Sequence, residues 1–257
     1  MIAAIRTELF KVRTTRMSYG LLGIGAGLTA LIAILLGGQA GSSSLLPSLS
    51  TAAGQRDLVT NTGFALLTSA IFGVIVSSSE FRHKTATDTY LDQPNRVRVM
   101  IAKIIAAFAG GAVFGAVAAA IATAAGTMTA RAKGDAIVLS GGDFVRYAAG
   151  SVLAAGLLAA LGCVVGSLIR GQIGAVIAVF IWCLAIEQVL AGVSKPVARF
   201  LPLLGASTMA GADSRAAMPP LPNGIHPLPF GVIAGVLLGV LVVLALGAAH
   251  TLDRDVT

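Results

Sequence analysis

Six long stretches of this 257-residue chain contain no Asp, Glu, Lys or Arg: 17–55, 58–79, 104–130, 147–169, 171–186 and 216–252. A helix rises about 1.5 Å per residue, so about 20 apolar residues cross a hydrocarbon core about 30 Å thick. Trimmed to their apolar cores, the stretches predict six transmembrane helices at about 17–37, 60–79, 100–124, 146–169, 173–192 and 229–250. Composition excludes a water-soluble globule: 11% of residues are charged, less than half the roughly 25% of soluble domains. All nine prolines lie outside these helices or, for Pro229, at a first residue, where a missing N–H costs nothing. Open strands cannot satisfy their backbone in lipid, and the alternating segments of a membrane barrel are absent. The expected fold is an all-α polytopic membrane protein.

Basic residues favour the cytoplasmic side. With the N-terminus inside, Arg6, Lys11, Arg13, Arg16, Arg82, Lys84, Arg96, Arg98, Lys103, Arg170 and Arg254 are cytoplasmic, against Arg56, Arg131, Lys133, Arg146, Lys195, Arg199 and Arg215 outside. The local contrast is sharper, with four basic residues before the first helix and Arg56 alone in the loop after it. Six crossings then put both termini in the cytoplasm, and the expected location is the plasma (inner) membrane. A cleaved signal peptide is the competing reading of the N-terminus, but the apolar run 17–38 exceeds the usual signal core of about 7–15 residues. Cys163 and Cys183 fall within predicted helices and read as buried thiols, since two alone cannot complete a structural zinc site.

The helices are rich in Ala and Gly. Gly111 and Gly115, Gly162 and Gly166, and Gly231, Gly235 and Gly239 repeat at four-residue spacing, which lets backbones approach closely within the chain or at a subunit interface. Ion-coupled transporters need titratable groups near the midplane. Here the one acidic candidate is Glu187, about five residues from the end of its helix, where it can be protonated, paired or reached by water. His83, His226 and His250 are too scattered for a metal centre.

Three polar segments remain. Residues 1–16 space Ile2, Ile5, Leu9 and Val12 at helical intervals among Arg6, Glu8, Lys11 and Arg13, the pattern of an amphipathic interfacial helix or of a basic leader serving topology alone. Residues 80–103 form a cytoplasmic connection longer than a chain reversal needs, presenting Tyr90 and Leu91 between charges; it reads either as a docking helix or as a solvated connector. Pro94 limits any helix begun near Thr85. Residues 193–228 combine a helix-start signal at Ser194 and Pro196 with an apolar face, then turn proline-rich; a loosely ordered external loop is the alternative to a helical hairpin.

These segments resemble the membrane subunits of bacterial ABC-2 type exporters, particularly the short six-helix permeases that work with separate ATPase subunits. The likeness is carried by Glu8, Lys11, Arg13, Thr14 and Arg16 before the first helix. After the second it is carried by Glu80, Phe81, Arg82, Thr85, Ala86, Thr87, Tyr90, Leu91, Pro94, Arg96, Arg98, Ala102 and Lys103. After the fifth it rests on Glu187 with Pro196, Arg199, Phe200, Leu201 and Pro202. The middle block is the most specific; Lys84 stands where many relatives carry glycine.

The resemblance implies a single permease domain over 1–257. Residues 1–16 would be an elbow helix along the inner leaflet, with Glu8, Lys11, Arg13 and Arg16. Residues 80–103 would form the coupling helix that docks on a cytoplasmic ATPase, and 193–228 an external hairpin over the exit path. The implied assembly has two ATPase copies and a second permease, identical or homologous, exporting a hydrophobic or amphipathic compound such as a drug, peptide or lipid. ATP and Mg would sit on the ATPase, while this chain would bind no cofactor or metal and catalyse no reaction. The sequence agrees on one necessary point, because no glycine is followed by lysine and the phosphate-binding loop of ATPases is therefore missing. An ion-coupled secondary transporter or channel is the alternative, and a membrane-bound enzyme ranks third, lacking a nucleophile with an evident base. Nucleic acid is not an expected partner, since the positive charge flanks the crossings.

Overall fold

Each charge-free stretch yields a long helix, because a backbone surrounded by hydrocarbon satisfies its N–H and C=O groups only within its own segment. The computed structural model describes residues 1–41, 47–82, 96–169, 171–198, 200–212 and 229–254, and no strand occurs among them. In chain order the helices are α1 (Ile2–Thr14), α2 (Arg16–Gln39), α3 (Ala52–Val59), α4 (Gly63–Arg82), α5 (Arg96–Ala132) and α6 (Gly141–Leu168). Then α7 (Gln172–Ile181) continues through a π turn (Trp182–Ile186) into α8 (Glu187–Val193), followed by α9 (Lys195–Ala198), α10 (Pro202–Met209) and α11 (Phe230–Arg254). Six stretches are long and apolar enough to span a bilayer: Arg16–Gln39, Ala52–Ser79, Val97–Ala132, Gly141–Leu168, Gln172–Val193 and Phe230–Ala248. The protein is an all-helical, multi-pass membrane protein.

The helix ends differ from the charge-based expectation for local reasons. Thr51 caps α3, its hydroxyl accepting from the Gly54 N–H, so helix begins eight residues before position 60. Helix α6 starts at Gly141 because Ser140 and Asp143 form a reciprocal capping box. Helix α5 runs to Ala132 and is closed by Gly134, whose φ of +79° lets the Asp135 N–H reach back to the Ala130 carbonyl at 3.0 Å.

The bundle has two tiers. The spans containing α4 and α6 are 83% and 72% buried over their apolar windows, whereas those of α2, α7–α8 and α11 are 22%, 22% and 11% buried. Small residues make the inner tier tight. A side chain at Gly162 would strike the Ala70 carbonyl, and one at Gly73 the Ala159 carbonyl, so α4 and α6 meet backbone to backbone. Gly111 and Gly115 of α5 lie equally close to Ala155 and Ser151 of α6. Two of the three four-residue glycine repeats therefore pack within the chain, while Gly231, Gly235 and Gly239 of α11 face open space. Cys163 and Cys183 are both buried and not joined in a disulfide.

Helix α1 packs against the N-terminal end of α5, and this end of the bundle is called the α1 end below. At the far end lie α3, the 133–140 connection, and the start of α6, where Tyr147 approaches Gly211 just after α10.

Candidate functional site

At the α1 end, sequence periodicity placed an apolar face of Ile2, Ile5, Leu9 and Val12 on α1, and the structure splits it: Val12 packs on the Phe72 and Phe114 cluster and Ile5 is half-buried, while Ile2 and Leu9 point outward. Ile2, Leu9 and Phe10 are exposed, while Ala4 and Glu8 are buried against the bundle. Glu8 accounts for the way the helix is turned. Its Oε2 accepts from Lys103 Nζ at 3.0 Å and its Oε1 from Lys11 Nζ at 2.8 Å. Lys103 is itself buried, on the second turn of α5, so the contact ties the N-terminal helix to the third span across 95 residues of sequence. A buried carboxylate in this setting needs such partners, because its desolvation is repaid only by close opposite charge and hydrogen bonds. Arg13 and Arg16 are exposed, and the Tyr19 hydroxyl donates to the Arg13 carbonyl at 2.8 Å, bracing the α1–α2 corner.

Of the proposed coupling residues, Glu80, Phe81 and Arg82 occupy the last turn of α4, and Arg96 and Arg98 the first turn of α5, with Arg98 exposed. Thr85, Thr87, Tyr90, Leu91 and Pro94 lie outside the described residues.

A second buried polar contact lies around Glu187. In the π turn the Glu187 N–H bonds to the Trp182 carbonyl, five residues back, and Glu187 opens the helix α8 that follows. The Glu187 side chain is fully buried, and its two oxygens accept from the N–H groups of Leu203 and Leu204, each at 3.0 Å. Helix α10 would otherwise end in bare donors. Pro202 at its first position has no N–H, Glu187 takes the next two, and the Gly205 N–H begins the helical ladder at the Leu201 carbonyl. A negative group at a helix N-terminus is also favoured by the helix dipole. Both Glu187 oxygens are thus engaged by backbone N–H groups and shielded from solvent. Pro202 and the buried Leu201 join this contact, Phe200 is exposed, Pro196 lies in α9, and Arg199 is outside the described residues.

Neither a family model nor a curated protein matches this chain.

One anchoring residue escaped the sequence reading. Gln55 of α3 is buried, donates through Nε2 to the carbonyls of Leu49 (2.9 Å) and Ala136 (2.6 Å), and accepts through Oε1 from the N–H groups of Val138 (2.9 Å) and Leu139 (3.3 Å). It thus fastens the connection before α4 to that before α6. Beside it, Lys133 donates to the terminal carbonyls of α2 at Gly38 (3.2 Å) and Ala40 (2.8 Å). A search for charge passes over a neutral amide; its position within a short polar island between two apolar stretches was the available signal. Among the described residues, no three His, Cys, Asp or Glu side chains gather as a metal site.

Proposed function

We propose that this chain is the permease subunit of an ATP-driven exporter of the ABC-2 type, with α1 as the elbow on the cytoplasmic leaflet and the 80–103 segment as the seat of the ATPase. The distribution of charge supports the reading best. Every Asp, Glu, Lys and Arg in the six spans lies within seven residues of a span end, about 10 Å of helix rise. The middle of each span is left without a carboxylate or amine to relay ions. Glu187 is occupied in capping α10, which suits a structural role at an external hairpin better than ion coupling. The exposed Ile2, Leu9 and Phe10 of α1, with basic residues beside them, suit contact with an anionic leaflet.

The cytoplasmic ATPase would work in two copies beneath two permeases, and its closure on ATP would shift the coupling segments and bias the bundle between inward-open and outward-open states. The test is purification of the tagged full-length chain in mild detergent. A nucleotide-hydrolysing subunit is expected to co-purify, and to be lost when Tyr90 and Leu91 are both changed to Asp while membrane insertion persists. Ion-gradient-driven transport by the chain alone in proteoliposomes, abolished by Glu187→Gln, would overturn the proposal in favour of a secondary transporter.

A further inference from the structure

A cavity of about 380 Å³ lies in the membrane-spanning part of the bundle, walled by α4, α6, the α7–π segment and α11, with Pro202 at its edge. Its depth comes from small residues on the inner helices, Ala70 and Gly162, facing Val179 and Cys183 on α7 and the π turn and Leu244 on α11. The side chains of its lining offer polar hydrogen only at the Trp182 indole and the Cys183 thiol. Buried water needs two to four polar partners, so a space of this kind stays dry.

The cavity is not sealed from the perimeter. Helices α7 and α11 both pack on α6 yet make no extended contact with each other, which leaves a lateral gap between them. Trp182 and Val240 line the cavity and are at the same time 42% and 36% exposed on the outer surface of the bundle. That surface belongs to two spans, and its neighbours Ile181, Val242 and Val243 are apolar and exposed. The opening therefore faces hydrocarbon.

We propose that this cavity holds one acyl chain of a bilayer phospholipid, entering sideways between α7 and α11. Size agrees: an apolar cavity of about 150 Å³ accommodates the six carbons of benzene, which scales to about fifteen carbons here. The chemistry agrees as well, since an acyl chain brings no polar group into a wall that offers almost none, while its headgroup stays at the interface. The inference needs only the membrane setting of these spans and stands whether or not an ATPase binds the chain.

Trp182 is the single tryptophan of the sequence and lines the site, so it serves as the reporter. The full-length chain in detergent is titrated with phosphatidylcholine brominated along one acyl chain, and tryptophan quenching is followed. Saturable quenching near one lipid per chain is expected. Ala178→Phe, which projects a ring into the cavity, should weaken apparent affinity at least tenfold, and Val240→Phe should act likewise from the opposite wall if the first variant folds poorly. Ile24→Phe, on the exposed face of α2, which lines no part of the cavity, should leave the titration unchanged. Quenching that rises without saturation and equally in all variants would reduce the effect to general lipid contact and overturn the proposal. Saturable quenching seen only after dilution to monomers would assign the space to a second copy of the chain and overturn it too.

Discussion

Removing the Glu187 carboxylate should unlatch α10. The side chain is fully buried and both oxygens accept backbone N–H groups at 3.0 Å, from Leu203 and Leu204. Glu187→Ala leaves two buried donors without acceptors, at about 1–3 kcal/mol each, so the contact should weaken by about 2–6 kcal/mol. Glu187→Gln keeps one acceptor but turns an NH₂ toward the other N–H. It forfeits one bond, about 1–3 kcal/mol, together with the attraction of a negative charge for the helix N-terminus, worth up to about 2 kcal/mol in buried settings. Glu187→Asp keeps the charge but is a methylene shorter, and should fall nearer to Gln than to the parent. The assay is amide hydrogen exchange over 200–212 in detergent, which reads local opening of α10 even where the bundle stays folded. At the lower bound of 2 kcal/mol, exchange at Leu203 and Leu204 should accelerate about 30-fold in the Ala variant. Unchanged protection in Glu187→Ala would refute the capping argument, and equal effects of Ala and Gln would refute the apportioning between bonds and charge.

Other outcomes follow from the same geometry. Gly162→Ala drives a methyl into the Ala70 backbone and should lower stability by at least about 1–3 kcal/mol, whereas Gly235→Ala meets no atom within 4 Å and should be neutral or raise stability by up to about 1 kcal/mol; thermal melts of the two variants make the comparison. Gln55→Ala removes four hydrogen bonds at once, and a loss of about 2–5 kcal/mol is expected, read as faster proteolysis at the 133–140 connection. A double-mutant cycle of Glu8→Gln with Lys103→Met should return a coupling of about 1–3 kcal/mol, little altered by salt because both groups are buried; additive effects would show that the pair is incidental.

The six spans were legible because hydrocarbon imposes one requirement on every residue it surrounds, and a count of charges detects it. Helix ends were less legible where charge lies inside helix. Asp143 and Arg146 made the start of α6 look like loop, although Ser140 and Asp143 carry the spacing of a capping box that could have moved it. The family-like residues Glu8 and Lys103 were singled out separately, and only folding brings their side chains together. Glu187 was noticed as an anomaly, but its partners are backbone amides sixteen and seventeen residues on, which no side-chain pattern encodes. The π turn and the lateral cavity arise from how helices meet, so neither leaves a periodic trace in the sequence.

The two-tier packing bears on the order in which the protein can be made. Mean hydropathy is lowest, 1.7, in the Ala52–Ser79 span that is most buried, and highest, 2.7, in the Phe230–Ala248 span that is least buried. The second span is thus suited to protein neighbours more than to lipid, and its principal neighbour is α6, completed only at residue 168. During synthesis it must wait, inserted but unpartnered, while more than eighty further residues emerge. The last span needs no such companion and can enter lipid on its own hydropathy. Chains cut short before residue 168 should therefore be recognised and degraded, whereas chains lacking only α11 should retain an assembled core.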